Sequence, residues 1–130
     1  MFFKKNKMKE TSSTLKRENT GKLDKNELIE EAKNLTNTID SVSGEERSKV
    51  LNRIGSLYFE ADKIDDAIKY YEISISESKS LGKAYTELLK LYNIKRKEAI
   101  NKKDDESLKH YMDKIDSLLQ LSKDVIRGRS

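Results

Sequence analysis

The sequence predicts an all-α domain of about five antiparallel helices, and three observations carry that reading. Proline is absent and glycine scarce among 130 residues, so little in the chain interrupts a helix. Apolar residues recur at i, i+3, i+4 and i+7, the spacing of one helical face. Polar breaks rich in Ser, Asn, Asp or Gly separate the periodic stretches at residues 41–44, 62–63 and 101–105.

The elements follow in order. Residues 1–22 carry seven basic and two acidic side chains, whereas the remainder holds 20 and 21, so the net charge of +4 belongs to this arm. With Thr11-Ser12-Ser13-Thr14 and Asn19-Thr20-Gly21 it has too little apolar surface to fold alone, and it is expected to be disordered. Residues 23–130 make up the helical domain. Its first helix opens on Asp24-Lys25-Asn26-Glu27, a capping-box pattern, and continues with Leu28, Ala32, Leu35 and Ile39 on one stripe. A second box, Ser43-x-x-Glu46, starts helix two, which buries Val50, Leu51, Ile54, Leu57, Tyr58 and Ala61. Asp65 or Asp66 caps helix three, with Ala67, Ile68, Tyr71 and Ile75 inward. Helix four begins around Gly82 and carries Tyr85, Leu88, Leu89, Tyr92 and Ile94. Helix five has a long stripe running from Leu108 to Ile126.

Composition and motifs narrow the function. No cysteine is present, so disulfides, thiol nucleophiles and zinc knuckles are excluded. No P-loop, HExxH, GxSxG or calcium-loop pattern occurs. The single histidine, His110, has no partner at a catalytic spacing, and Asp65-Asp66 and Asp104-Asp105 stand where carboxylates favour a helix start. Neither an enzyme, a cofactor nor a metal site is expected. No apolar run reaches membrane-spanning length. Met1-Phe2-Phe3 runs straight into Lys4-Lys5 without a signal-peptide core, which reads as cytoplasmic. Lysine far exceeds arginine, and Asn and Ile are frequent, a composition that resembles proteins of AT-rich bacterial genomes.

One run carries a family resemblance: Leu51-x₂-Ile54-Gly55-x₂-Tyr58, then Ala67-x₃-Tyr71. It resembles the tetratricopeptide repeat (TPR), a helix-turn-helix unit with the pattern W-x₂-L-G-x₂-Y…A-x₃-F…P. Gly55, Ala67 and Ser74 hold its small positions, where helices approach closely. Leu51 replaces the Trp, no Pro stands near Lys79, and Asp62 sits where Gly is common. Tyr85, Leu88 and Tyr92 repeat Leu51, Ile54 and Tyr58 after 34 residues, the TPR period. Ser107 to Tyr111 mirrors Ala67 to Tyr71, six residues late; Leu89 and Lys114 stand in the places of Gly55 and Ser74. The second repeat is therefore degenerate and elongated. The resemblance implies stacked helical hairpins that act as a protein-binding adaptor.

It also implies where a partner would sit. In TPR units the first helix of each pair lines a groove, here helices two and four. Their outward residues are Lys49, Asn52, Arg53, Ser56 and Phe59, then Lys83, Thr86, Glu87, Lys90 and Asn93. Phe59 lies off the apolar stripe of its helix. It is either a solvent-facing anchor for a peptide or a contact with helix one. Lys49, Lys83 and Lys90 either meet acidic groups of a partner or form a solvated face. Two alternatives stand beside the adaptor. The apolar surplus at Leu118, Leu119, Leu121, Val125 and Ile126 suggests a self-associating scaffold, a homodimer through the C-terminal helix. The basic arm, with Phe2-Phe3, either tethers a regulator to nucleic acid or a membrane surface or only solubilises the chain. A basic cluster at Lys95-Arg96-Lys97 and Lys102-Lys103 is expected to be compensated by neighbouring acids.

Overall fold

A computed structural model of the protein describes residues 9–15, 18–19 and 24–128, with side chains described for residues 24–128. Its helical domain starts as the sequence predicts. The Asp24 carboxylate accepts from the Glu27 N–H at 2.9 Å, and the Glu27 carboxylate accepts from the Asp24 N–H at 3.2 Å. Helix α1 then spans Lys25–Thr36. Ile39, expected at the end of this stripe, instead lies in a 3₁₀ turn at Ile39–Ser41 and still packs on the core.

Helix α2, Gly44–Glu60, does not form the second capping box, because Ser43 makes no side-chain cap bond. The cause is local. Gly44 enters the helix at a φ of +59°, a left-handed conformation that glycine adopts without a Cβ penalty. The entry is secured by Arg47 instead. Its guanidinium donates to both Glu77 carboxylate oxygens at 2.8 and 3.1 Å, and to the Ile39 carbonyl at 3.0 Å. The hydrogen bonds from Arg47 hold the Glu77 carboxyl below its ordinary range.

Helix α3 spans Ile64–Ser78 and begins one residue before the Asp pair expected to cap it. Asp62, at a φ of +65°, reverses the chain so tightly that the Lys63 N–H reaches the Tyr58 carbonyl at 2.8 Å. Asp65 and Asp66 therefore occupy the first turn, where they favour the positive end of the helix dipole. Helix α4, Lys83–Lys102, starts after Gly82 as expected, and helix α5 spans Asp105–Ile126. The second hairpin is the longer: α4 and α5 have 20 and 22 residues against 17 and 15 in α2 and α3.

Each helix packs on its neighbour in sequence, most extensively α2 on α3, then α4 on α5, α1 on α2 and α3 on α4. Short connections make these neighbours antiparallel, and the sum is a generic helical-repeat arrangement. Leu51, Ile54, Leu57, Tyr71, Leu88 and Leu91 are buried at its centre. Gly55 is needed for the α2–α3 approach: a Cβ there would sit 2.9 Å from the Tyr71 ring, which is itself fully buried. Among the described residues, no helix is long and apolar enough to cross a membrane.

Within the N-terminal arm, β1 (Lys9–Leu15) pairs antiparallel with β2 (Glu18–Asn19) at Thr14–Asn19 and Leu15–Glu18. An isolated two-stranded ribbon is marginal in water, and the core among described side chains is built from the helices and their connecting turns. Phe2, Phe3 and most of the expected disordered arm, together with any tether it provides, lie outside the described residues.

Candidate functional site

Three helices converge on an open cleft of about 320 Å³. Helix α3 supplies Glu72 and Ile75, α4 supplies Leu88 and Tyr92, and α5 supplies Lys114, Ser117, Leu118 and Leu121. The helical period explains the grouping. Leu88 and Tyr92 are four residues apart, as are Lys114 and Leu118, so each pair shares a face. The lining is therefore apolar at Ile75, Leu88, Leu118 and Leu121, with charge at one wall.

That wall is a single hydrogen-bonded cluster. One oxygen of Glu72, Oε2, accepts from the Tyr92 hydroxyl at 2.5 Å and from Lys114 Nζ at 3.2 Å. Burial pushes the Tyr92 phenol above its ordinary pKa, and its bond to Glu72 raises it further. A phenol so held donates a hydrogen bond and is a poor source of phenolate. The Glu72 and Lys114 side chains are 34% and 39% exposed, so both remain within reach of a second molecule. The cluster suits recognition of a peptide group or a charged side chain. It lacks the nucleophile–base pair that group transfer needs.

The residues expected to line a groove on α2 and α4 fare differently. Lys49 and Lys83 are exposed. Asn52 is drawn inward, where its Oδ1 accepts from the buried Ser74 hydroxyl at 2.7 Å. Arg53 pairs with Glu31 of α1 at 3.1 Å. Ser56 is half-buried beside the Tyr71 hydroxyl. Thr86 donates to the Gly82 carbonyl at 3.4 Å, Lys90 pairs with Glu87 at 3.1 Å, and Asn93 donates to the Leu89 carbonyl at 3.0 Å. Phe59 is not a solvent-facing anchor: it is half-buried and packs on the core cluster. Its position just outside the ideal stripe still falls within the wide apolar face that a core helix buries.

Of the basic cluster at the tip of α4, Lys95 is paired with acids, and Arg96 donates to Asn93 at 3.1 Å. Lys95 lies 3.1 Å from Asp65 of α3 and 3.4 Å from Glu98. Asp104 instead caps α5, accepting from the Ser107 N–H at 3.1 Å, and these bonds to Ser107 hold its carboxyl below the ordinary value. His110 is exposed, its ring set edge-on to that of Tyr111 with the ring centres 4.8 Å apart. Among the described residues no cluster of three or more His, Asp or Glu side chains is placed to hold a metal ion.

Sequence reasoning missed the Glu72–Tyr92–Lys114 cluster, whose members lie 20 and 42 residues apart. One signal pointed to it. Lys114 takes the place of Ser74, which is buried in the first hairpin, and a lysine at such a place requires a carboxylate. Compared with known proteins, the chain matches no family model, no curated protein and no solved structure.

Proposed function

We propose that this protein is a non-enzymatic, TPR-like adaptor that holds a short segment of a protein partner in the α3–α4–α5 cleft. The observation that carries the reading is the cleft itself, with an apolar lining and one charged wall. An apolar side chain of a bound segment would enter between Ile75, Leu88 and Leu121. Lys114 and Glu72 would exchange part of their mutual bond for polar groups of that segment. The TPR-like assignment is supported by the close approach at Gly55, the buried small residues Ala67 and Ser74, and the left-handed Asp62 at the glycine position.

A second reading keeps the partner on the outer face of α2 and α4, favoured by the exposure of Lys49 and Lys83. One experiment separates the two. Tagged wild-type chain, Ser117→Trp and the double variant Lys49→Glu/Lys83→Glu are used to capture partners from host lysate, identified by mass spectrometry. Ser117 is exposed at the cleft edge, so Trp fills the cleft without entering the core. A partner lost only with Ser117→Trp supports the cleft. Loss only with the lysine variant moves the site to α2 and α4. Capture unchanged by both sinks each assignment.

A further inference from the structure

Helix α5 carries two rows of side chains; the bundle takes up the first and only part of the second. Ser107, Tyr111, Lys114, Leu118, Leu121 and Val125 turn inward, all at least half-buried. The second row, Leu108, Met112, Ile115, Leu119, Ser122 and Ile126, lies about 100° around the helix. Its Leu108, Ile115 and Ser122 are half-buried, Ile115 touching the core with part of its side chain, and the other three are exposed. Met112, Leu119 and Ile126 are 50%, 42% and 76% exposed, and among the described residues only Ile100 joins them as a large exposed apolar side chain. Clustering of this kind on one face marks an interaction surface.

The row identifies its occupant by its spacing. Successive steps of 4, 3, 4, 3 and 4 residues are the a/d pattern of a coiled-coil seam. That series reads the same from either end, which is what a two-fold contact between identical helices requires. We propose that a second copy of this chain packs antiparallel along this row. The two-fold axis passes between Ile115 and Leu119. Ile115 then meets the partner's Leu119, Met112 the partner's Ser122, and Leu108 the partner's Ile126.

Charge selects the antiparallel sense. The solvent flank beside the row holds Asp105, Glu106, Asp113 and Asp116 in its first part, and Lys123 and Arg127 with one acid, Asp124, in its last. Lys109, the one base in the acidic part, is already bound to Asp113 at 3.0 Å. An antiparallel pair sets the acidic half of each helix toward the basic half of the other and opposes their dipoles, whereas a parallel pair superposes like signs. A single pair of helices about 33 Å long buries far less than the standard interface of about 1,600 Å², so the dimer is weak, with a dissociation constant of about 10 µM to 1 mM. This contact is independent of the proposed cleft, whose α5 residues are Lys114, Ser117, Leu118 and Leu121.

Sedimentation of the full chain over about 10 µM to 1 mM tests the contact. The expected result is a mass rising from 15.1 kDa toward twice that value. Met112→Glu/Leu119→Glu should hold the monomer mass throughout with unchanged circular dichroism, since both side chains are exposed. A flat wild-type mass, or a rise that survives the double substitution, overturns the proposal. Orientation is read separately, because the chain has no native cysteine. An oxidised equal mixture of Met112→Cys and Ser122→Cys chains should give mixed disulfide above its statistical share. A predominance of like-with-like disulfides overturns the antiparallel arrangement.

Discussion

The α2–α3 and α4–α5 hairpins answer the same packing problem with different chemistry. In the first, small residues let the helices close: Gly55 abuts the Tyr71 ring, and Ser74 is buried with only a hydroxyl to satisfy. In the second, the matching places hold Leu89 and Lys114. Leu89 is half-buried, and Lys114 keeps its ammonium within reach of Glu72 on α3. The first hairpin is thus closed by shape at its centre, with the Arg47–Glu77 pair joining its helices at the entry to α2, and the second is tied to its predecessor by charge across an open cleft. Burying an amine needs a carboxylate and some contact with water, whereas burying a glycine needs neither. The cleft lies where close packing has been given up.

The strongest way to break this contrast is to impose the second hairpin's residue on the first. Gly55→Leu drives four heavy atoms into a ring that cannot move, because Tyr71 is fully buried. The expected loss is about 3 kcal/mol or more, read from the urea midpoint. The mirror change, Leu89→Gly, removes a half-buried side chain and weakens a helix interior, at a cost of about 2 kcal/mol. Equal costs for the two would mean that the first hairpin is no more closely packed than the second.

What the sequence disclosed follows the same division. Features written in one helix or one turn were legible: the Asp24–Glu27 box, the small residue at 55, the glycine-like place of Asp62 and the elongation of the second hairpin. Features made by three helices meeting were not. Nothing in the spacing of Glu72, Tyr92 and Lys114 announces one hydrogen-bonded cluster, because that depends on how α3, α4 and α5 are placed in space. Asn52 was misplaced, and Phe59 left open between two surroundings, for a related reason. Each lies off the apolar stripe of α2, and tertiary packing decided which neighbour it met. The surplus expected on helix five divides in two: Leu118 is buried, and Leu119 and Ile126 are left exposed.

Charge as the second hairpin's tie is sharpened by Glu72→Ala. It leaves the Tyr92 hydroxyl without its acceptor and Lys114 without its partner, at an expected cost of about 2 kcal/mol, moderated because Glu72 and Lys114 are partly in water. The pH dependence has a definite sign. The folded-state pKa of Tyr92 is raised by burial and by Glu72, so its contribution is fully present below the unfolded tyrosine value of about 10 and is lost as pH rises above it. Wild-type stability should fall more steeply than that of Tyr92→Phe from about pH 10 upward, compared by urea unfolding. Parallel slopes would mean that Tyr92 titrates as an ordinary phenol.

The smallest expected effect compares the buried hydroxyls of the two hairpins, and the two should differ in sign. The Tyr92 hydroxyl has Glu72, whereas that of Tyr71 is buried without a hydrogen-bond partner, with the Ser56 hydroxyl as its polar neighbour. Burial, with Glu87 adding to it, pushes the Tyr71 phenol up to about 12, so the group stays neutral and still lacks an acceptor. Tyr71→Phe keeps the ring that fills the space against Gly55 and removes an atom whose desolvation nothing offsets. A gain of about 1 kcal/mol is expected, while Tyr92→Phe should lose a similar amount. Measured together by thermal and urea unfolding, opposite signs would confirm that Tyr71 serves the first hairpin by the shape of its ring, without help from its hydroxyl. A loss with Tyr71→Phe would mean that its hydroxyl is bonded in solution, and the centre of the first hairpin would then hold a bonded phenol as the second does.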